Sequence, residues 1–231
     1  MTAVRPRLQR WRGAAAAGLA ACALLAAAGC GSSASSASTA AGRAPTDTSP
    51  EAGFARDMSV HHAQAVAMAE AIRDRTTDPD LKLLATNIAL GQQAQIGRMS
   101  GWLDEWGLNQ TSTNTPMAWI RTDNLLKGAS NDMPGMDMST GTMSLTADGL
   151  MPGMATRPQV TGLGTLPIDK AEISFLQLMI AHHRAGVDMA DAILARTNRV
   201  DVVRLAVSIV NGQQAEITLM TGMLAKRGAK P

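Results

Sequence analysis

Two short stretches carry residues that could do chemistry. Met58 to Ile72 reads MSVHHAQAVAMAEAI, and Met179 to Ile193 reads MIAHHRAGVDMADAI. Each places adjacent histidines three and four residues after a methionine, so that on a helix the thioether and both imidazoles crowd one patch. Soft thioethers select Cu(I) and its relatives, whereas imidazole accepts copper and zinc alike. Zinc is better served by cysteine or carboxylate donors, and only Glu216 stands near this set. The pattern points to Cu(I) or Ag(I), with His61, His62, His182 and His183 as ligands assisted by Met58 and Met179. A di-iron site would instead need inward glutamates and Glu-x-x-His pairs. Met58, Ser59, Met179 and Ile180 occupy the places three residues before the histidines, which argues against iron.

The elements that must position these residues come from a duplication. A shift of 121 residues lays Phe54–Gly107 on Phe175–Gly228 without a gap, with 24 of 54 paired residues identical. Each half reads as two helices. Ser49 and Pro50 open the first and Asp78 and Pro79 the second, which runs to about Trp106 and Gly107. In the other half Asp169 and Glu172 resemble a capping box, ahead of helices near Lys170–Arg196 and Val200–Arg227. On a wheel of 100° per residue, Phe54, Ala65, Met68 and Ile72 lie within about 40° of His61, so the apolar face centres close to it. His62 lies at the margin of that face. The repeat predicts the same for His182 and His183.

On the second helix of each half, Leu84, Ile88, Met99 and Leu103 share a face with Gln92, as Leu205, Ile209, Met220 and Leu224 do with Gln213. Gln95 lies nearby, and Glu216 takes its place in the repeat. Buried amides and imidazoles need partners, so Gln92, Gln213 and Glu216 are expected to support the histidines. The prediction is an all-α fold: a four-helix bundle of two duplicated hairpins, residues 50–107 and 169–228, joined by a long crossover, residues 108–168. Part of that crossover, near Pro116–Lys127, could form a short helix. Trp102, Trp106 and Trp119 read as packing or rim residues.

The crossover is rich in methionine without an obvious core to fill. NDMPGMDMSTGTM supplies Met133, Met136, Met138 and Met143, and LMPGM supplies Met151 and Met154. Their close spacings resemble the methionine motifs of periplasmic copper-handling proteins, which implies a flexible capture arm. Met68 and Met189, on the helices themselves, are further candidate ligands, although methionine at such spacing serves equally as core filler.

Residues 1–29 read as a secretory leader: Arg5, Arg7, Arg10 and Arg12 precede an uncharged Ala/Leu run. The stretch AAGC resembles a bacterial lipobox, which implies lipid attachment at Cys30, with residues 30–49 as a Ser/Ala-rich tether. LAAC at Cys22 fits the box better but leaves a short apolar core of Ala14–Ala21, and an uncleaved anchor helix is the other alternative. Loss of the leader removes four arginines and no acid, turning the formal net charge of +2 into −2. No basic patch with interleaved aromatics remains, so a nucleic-acid partner is not expected. Cys22 and Cys30 are the only cysteines, so the mature domain has neither disulfide nor thiolate.

The spacing HH-x5-MA on one helix and QQA-x-I-x2-M on the next resembles the domain-of-unknown-function family 305 over both hairpins, and LMPGMAT looks like that family's linker. The resemblance implies a ferritin-like helical bundle in the cell envelope, and its copper-binding members imply a role in handling copper or silver. The leading expectation is an exported protein, lipid-anchored at the outer face of the membrane, that binds Cu(I) or Ag(I) for buffering, resistance or delivery. A metal-free structural or interaction module of the envelope is the alternative, with a redox metalloenzyme as a third reading. No nucleophile, phosphate cradle or acid–base pair stands out, so enzymatic activity is not expected.

Overall fold

In the computed structural model, residues 43–120, 136–137, 142–143 and 145–231 are described, and Gly42–Pro231 forms one compact unit. The leader, Cys22, Cys30, residues 30–42 of the tether, Met133 and Met138 lie outside the described residues. The Ser49 hydroxyl accepts the Ala52 N–H to cap α1 (Pro50–Arg73), and the Asp78 carboxylate caps α2 (Pro79–Glu105). Gly107, at φ +68°, supplies the left-handed residue that ends α2.

The crossover has structure of its own. Ala118–Ile120 is a single 3-10 turn, where a short helix is predicted near Pro116–Lys127; residues 121–127 lie outside the described residues. Met136–Asp137 (β1) pairs antiparallel with Thr142–Met143 (β2). A nine-residue helix, α3 (Arg157–Thr165), follows, with Thr156 and Gln159 making a reciprocal capping box. Then come α4 (Ile168–Leu194) and α5 (Val200–Lys226). The capping box expected of Asp169 and Glu172 does not form. Pro167 is the N-cap of α4 and makes no side-chain bond, while Glu172 accepts from Thr76 and Arg227 on other elements.

The architecture is the all-α four-helix bundle of two hairpins that the duplication predicts. α1 packs on α2, α4 on α5, and α1 on α4, with α3 laid over α1 and α4. The beginning of α1 and the end of α2 share one apolar cluster with the end of α4 and the beginning of α5, including Phe54, Met58, Leu103, Met189 and Leu205. The opposite ends share a second, including Met68, Leu84, Phe175, Met179 and Met220. α1 and α4 therefore run antiparallel, and the hairpins are related by a pseudo-twofold axis through the middle of the bundle.

Repeated clasps hold this docking. Thr76 donates to Glu172 at 2.6 Å and, 121 residues on, Thr197 donates to Glu51 at 2.7 Å, each tying one hairpin's turn to the first helix of the other. Asp78 adds an ion pair with Arg227 at 2.6 Å. At the equivalent place Arg199 lies 5.4 Å over the Trp106 ring, so a cation–π contact replaces the ion pair. Among the described residues no helix is long and apolar enough to cross a membrane. Thr197→Val removes the Glu51 clasp while preserving shape, and is expected to cost about 1 kcal/mol. The midpoint of urea unfolding should fall with its slope unchanged; an unaltered midpoint would show that the clasp does not hold the hairpins.

Candidate metal centre

Between the two apolar clusters lies a polar layer. α1 contributes His61 and His62, α4 contributes His182 and His183, α2 Gln92 and α5 Gln213, all buried. The helical register that centres the apolar face on His61 leaves these groups nowhere else to go. His61 and His182, equivalent in the repeat, stack on the pseudo-axis with ring centroids 3.7 Å apart and an interplanar angle of 29°. His62 lies 6.5 Å from His61, and His183 lies 6.2 Å from His182, centroid to centroid.

Hydrogen bonds assign the ring nitrogens their roles. His182 Nε2–H donates to the His61 carbonyl at 2.9 Å, His62 Nε2–H to Gln95 Oε1 at 2.7 Å, and His183 Nε2–H to Glu216 Oε2 at 2.7 Å. In a neutral ring that donates through Nε2, Nδ1 carries a lone pair. The Nδ1 atoms of His62, His182 and His183 have no hydrogen-bond partner, nor has either nitrogen of His61. A metal uses lone pairs of this kind, commonly with a carbonyl, amide or carboxylate hydrogen-bonded to the other ring nitrogen to orient the ring.

Burial also keeps rings neutral. Desolvation pushes the pKa values of His61 and His62 down to about 3 and that of His182 well below its usual value. The neighbouring histidines push in the same direction for all three. The Pro152 carbonyl opposes this at His61, though its approach falls short of a normal hydrogen bond. These rings are free to donate to a metal without first losing a proton.

Met58 and Met179 are fully buried, one helical turn from the layer on opposite sides of it. Met68 and Met189 are equally buried but lie about two turns away, inside the apolar clusters. The loop methionines divide. Met151 is buried in the Met58 cluster and Met154 packs against it, which corrects the expectation that both belong to a free arm. The linker holding them is fastened down. Gln64 makes a two-way bond with the Ala155 backbone at 2.9 and 2.6 Å, and Gly153, at φ +72°, sits so close to α4 that an added Cβ would lie 2.6 Å from the Ala181 carbonyl. Met136 and Met143 face each other in the β1–β2 pair by backbone register.

Sequence reasoning passes over Gln64, Pro152, Gly153 and Gly186. An added Cβ on Gly186 would meet Gln213 Oε1, so the Gln213 amide packs directly against this glycine. The available signal was the repeat itself, which puts small residues, Ala65 and Gly186, at the same inward position.

Chemically, the layer offers imidazole nitrogens with thioethers one helical turn away. Among the described residues no three His, Asp, Glu or Cys side chains are arranged to hold a metal ion together, so a closed tetrahedral zinc site is not built here. A soft monovalent ion asks for fewer donors, and an imidazole with a thioether one turn away suits it.

The chain belongs to the DUF305 family: residues 51–224 match the model of this domain of unknown function. Its fold is similar to that of an inferred secreted DUF305 protein from Streptomyces coelicolor, with 43% identity and a TM-score of 0.66 over 80% of this chain and 98% of the other. It is also similar to CopM in the Cu(I)-bound form, at 24% identity and a TM-score of 0.51, over 79% and 97% of the two chains. The uncharacterized protein L153 of Acanthamoeba polyphaga mimivirus is 42% identical over 52 residues, which span 22% of this chain and 34% of that protein.

The lowered histidine pKa values predict an acid-sensitive bundle. Between pH about 6.5 and 3 the unfolded chain binds protons that the folded histidines refuse, so stability is full above this window and falls as pH drops through it. The loss is on the order of 1 kcal/mol per pH unit for each such histidine. Urea unfolding of the metal-free protein should show this slope, and a variant with all four histidines changed to Gln should show a shallower one. Equal slopes would mean that the histidines are not held neutral.

Proposed function

From DUF305 membership and the histidine layer, we propose that this protein is an exported envelope lipoprotein that binds Cu(I) or Ag(I), buffering the ion, conferring resistance to it or delivering it. The observation that carries the reading is the set of buried Nδ1 lone pairs one helical turn from Met58 and Met179. An apolar bundle gains nothing from unpartnered imidazole nitrogens, each of which costs roughly 1–3 kcal/mol, whereas a soft cation would use them. His61, His62, His182 and His183 are the proposed ligands, assisted by Met58 and Met179, with Gln92, Gln213 and Glu216 as polar support. Met151 and Met154 would add thioethers on the linker side, and Met133, Met136, Met138 and Met143 a capture arm. CopM, which shares the fold, has been crystallised with Cu(I) bound; at its low identity it bears on the fold, and the metal reading for this chain stands on its own residues.

Export rests on the basic and apolar leader and on the inferred secretion of the Streptomyces coelicolor relative. Attachment through Cys30 rests on the lipobox resemblance. The protein would bind and hand over its ion without turnover. One observation favours a metal-free structural module instead: the His61–His182 stack satisfies shape without a ligand, and three rings already have hydrogen-bond partners.

Anaerobic titration of residues 31–231 with Cu(I) against a competing chelator separates the two. Tight binding that disappears when all four histidines become Gln is the expected result. Equal binding in both proteins would move the metal to the loop methionines, and absence of competitive binding in either would leave the structural module.

A further inference from the structure

α2 and α5 leave a groove between them that leads to the polar layer. Its narrow middle, about 60 Å³, is lined among others by Asn87, Gln92, Gln95, Ser208, Gln213 and Glu216. That volume holds a few waters or one partly hydrated ion and excludes an organic ligand. Gln92 and Gln213 are each only 4% exposed, and neither the oxygen nor the nitrogen of either amide has a hydrogen-bond partner. Beyond this throat the groove widens into a hollow of about 650 Å³ that shares Asn87 and Glu216 with it and adds Leu83, Leu219, Met223 and Lys226. Glu216 thus borders both spaces and also accepts the His183 Nε2–H.

The duplication supplies an internal comparison, because each residue of this end has an equivalent 121 positions away. Leu83 corresponds to Arg204, Leu219 to Arg98, Met223 to Trp102 and Glu216 to Gln95. Asp80 and Glu216 face one ammonium, Lys226, around the hollow. Their counterparts at the other end are Asp201, Gln95 and Glu105, with Arg98 and Arg204 added. One end therefore has a carboxylate excess, a thioether and open space. Its twin has balanced charge, two exposed guanidiniums and a buried indole where the thioether would be.

We propose that this one-sided groove is the inlet through which a soft monovalent cation reaches the histidine layer, received by Met223 and Glu216 and passed to His183. The inference rests on the metal-binding reading above and adds a direction to it. A carboxylate at the junction of hollow and throat concentrates cations where the low-dielectric walls focus its field. The amide oxygens of Gln92 and Gln213 replace part of the ion's water inside the throat, and the second mouth, balanced in charge, lacks the attraction of the first.

The test is the rate at which residues 31–231, which contain the whole compact unit, load Ag(I) from a buffered chelator complex. Leu219→Arg copies onto the inlet the arginine of the other end. Leu90→Arg makes the same charge change at an exposed α2 position outside the groove. Leu219→Arg is expected to slow loading roughly tenfold, with Leu90→Arg close to wild type and the final silver content equal in all three. Glu216→Gln, which copies Gln95 and keeps an acceptor for His183, should slow loading as well. Identical rates for Leu219→Arg and Leu90→Arg would overturn the inlet while leaving metal binding intact. Failure of the wild-type protein to take up silver at equilibrium would overturn the metal-binding reading and the inlet with it.

Discussion

Removing four imidazoles and two carboxamides from water costs free energy on the order of 1–3 kcal/mol for each group left unpartnered, and the bundle is organised around that cost. The polar layer sits at mid-height, with one apolar cluster on either side, so each cluster stays dry and contiguous. Neutral rings are the cheapest form such a layer can take, which is why desolvation dominates the pKa shifts of His61, His62 and His182. The remaining partners come from whatever lies within reach: the His61 carbonyl, Gln95 and Glu216. A helix carbonyl is normally committed to its own ladder, so its use by His182 shows how scarce acceptors are at the pseudo-axis.

Duplication makes the two halves comparable residue by residue, and some departures change the groups that border the polar layer and the hairpin ends. The apolar skeleton is kept, as are the clasps of Thr76 to Glu172 and of Thr197 to Glu51. Several of the departures change charge. The His62 partner is an amide and the His183 partner a carboxylate. At the hairpin ends an Asp78–Arg227 ion pair answers to Arg199 over Trp106. The scaffold is thus symmetric while its charges are not.

The linker before α3 is part of the interior rather than a connection around it. Gln64 holds its backbone as a neighbouring strand would, and Met151 completes an apolar cluster that the helices alone leave open. Gly153 is required there by close approach, since any side chain would meet the α4 backbone. Pro152 consequently lies near enough to His61 to influence its proton affinity. On the opposite flank the α2–α5 groove is lined by polar groups and reaches the same layer. One flank is thus covered by the linker and the other bordered by the groove.

Much of this was legible in the sequence, because the informative signals are local or periodic. Helical spacing placed His61 and His182 inward, Ser49 and Asp78 marked two helix starts, and the 121-residue offset announced two hairpins before any contact was known. The same locality misled at Asp169 and Glu172, whose capping spacing is real but whose carboxylate Glu172 is claimed by Thr76 and Arg227 from distant elements. It also misassigned Met151, since a Gly/Pro-rich setting says nothing about which surface a loop covers. Only the tertiary structure decided that the hairpins dock antiparallel, that His61 and His182 stack on a shared axis, and that Gln213 packs against Gly186. Those facts depend on the relative placement of helices far apart in the chain, which side-chain volume and the need to pair buried polar groups settle together, and no local pattern encodes either.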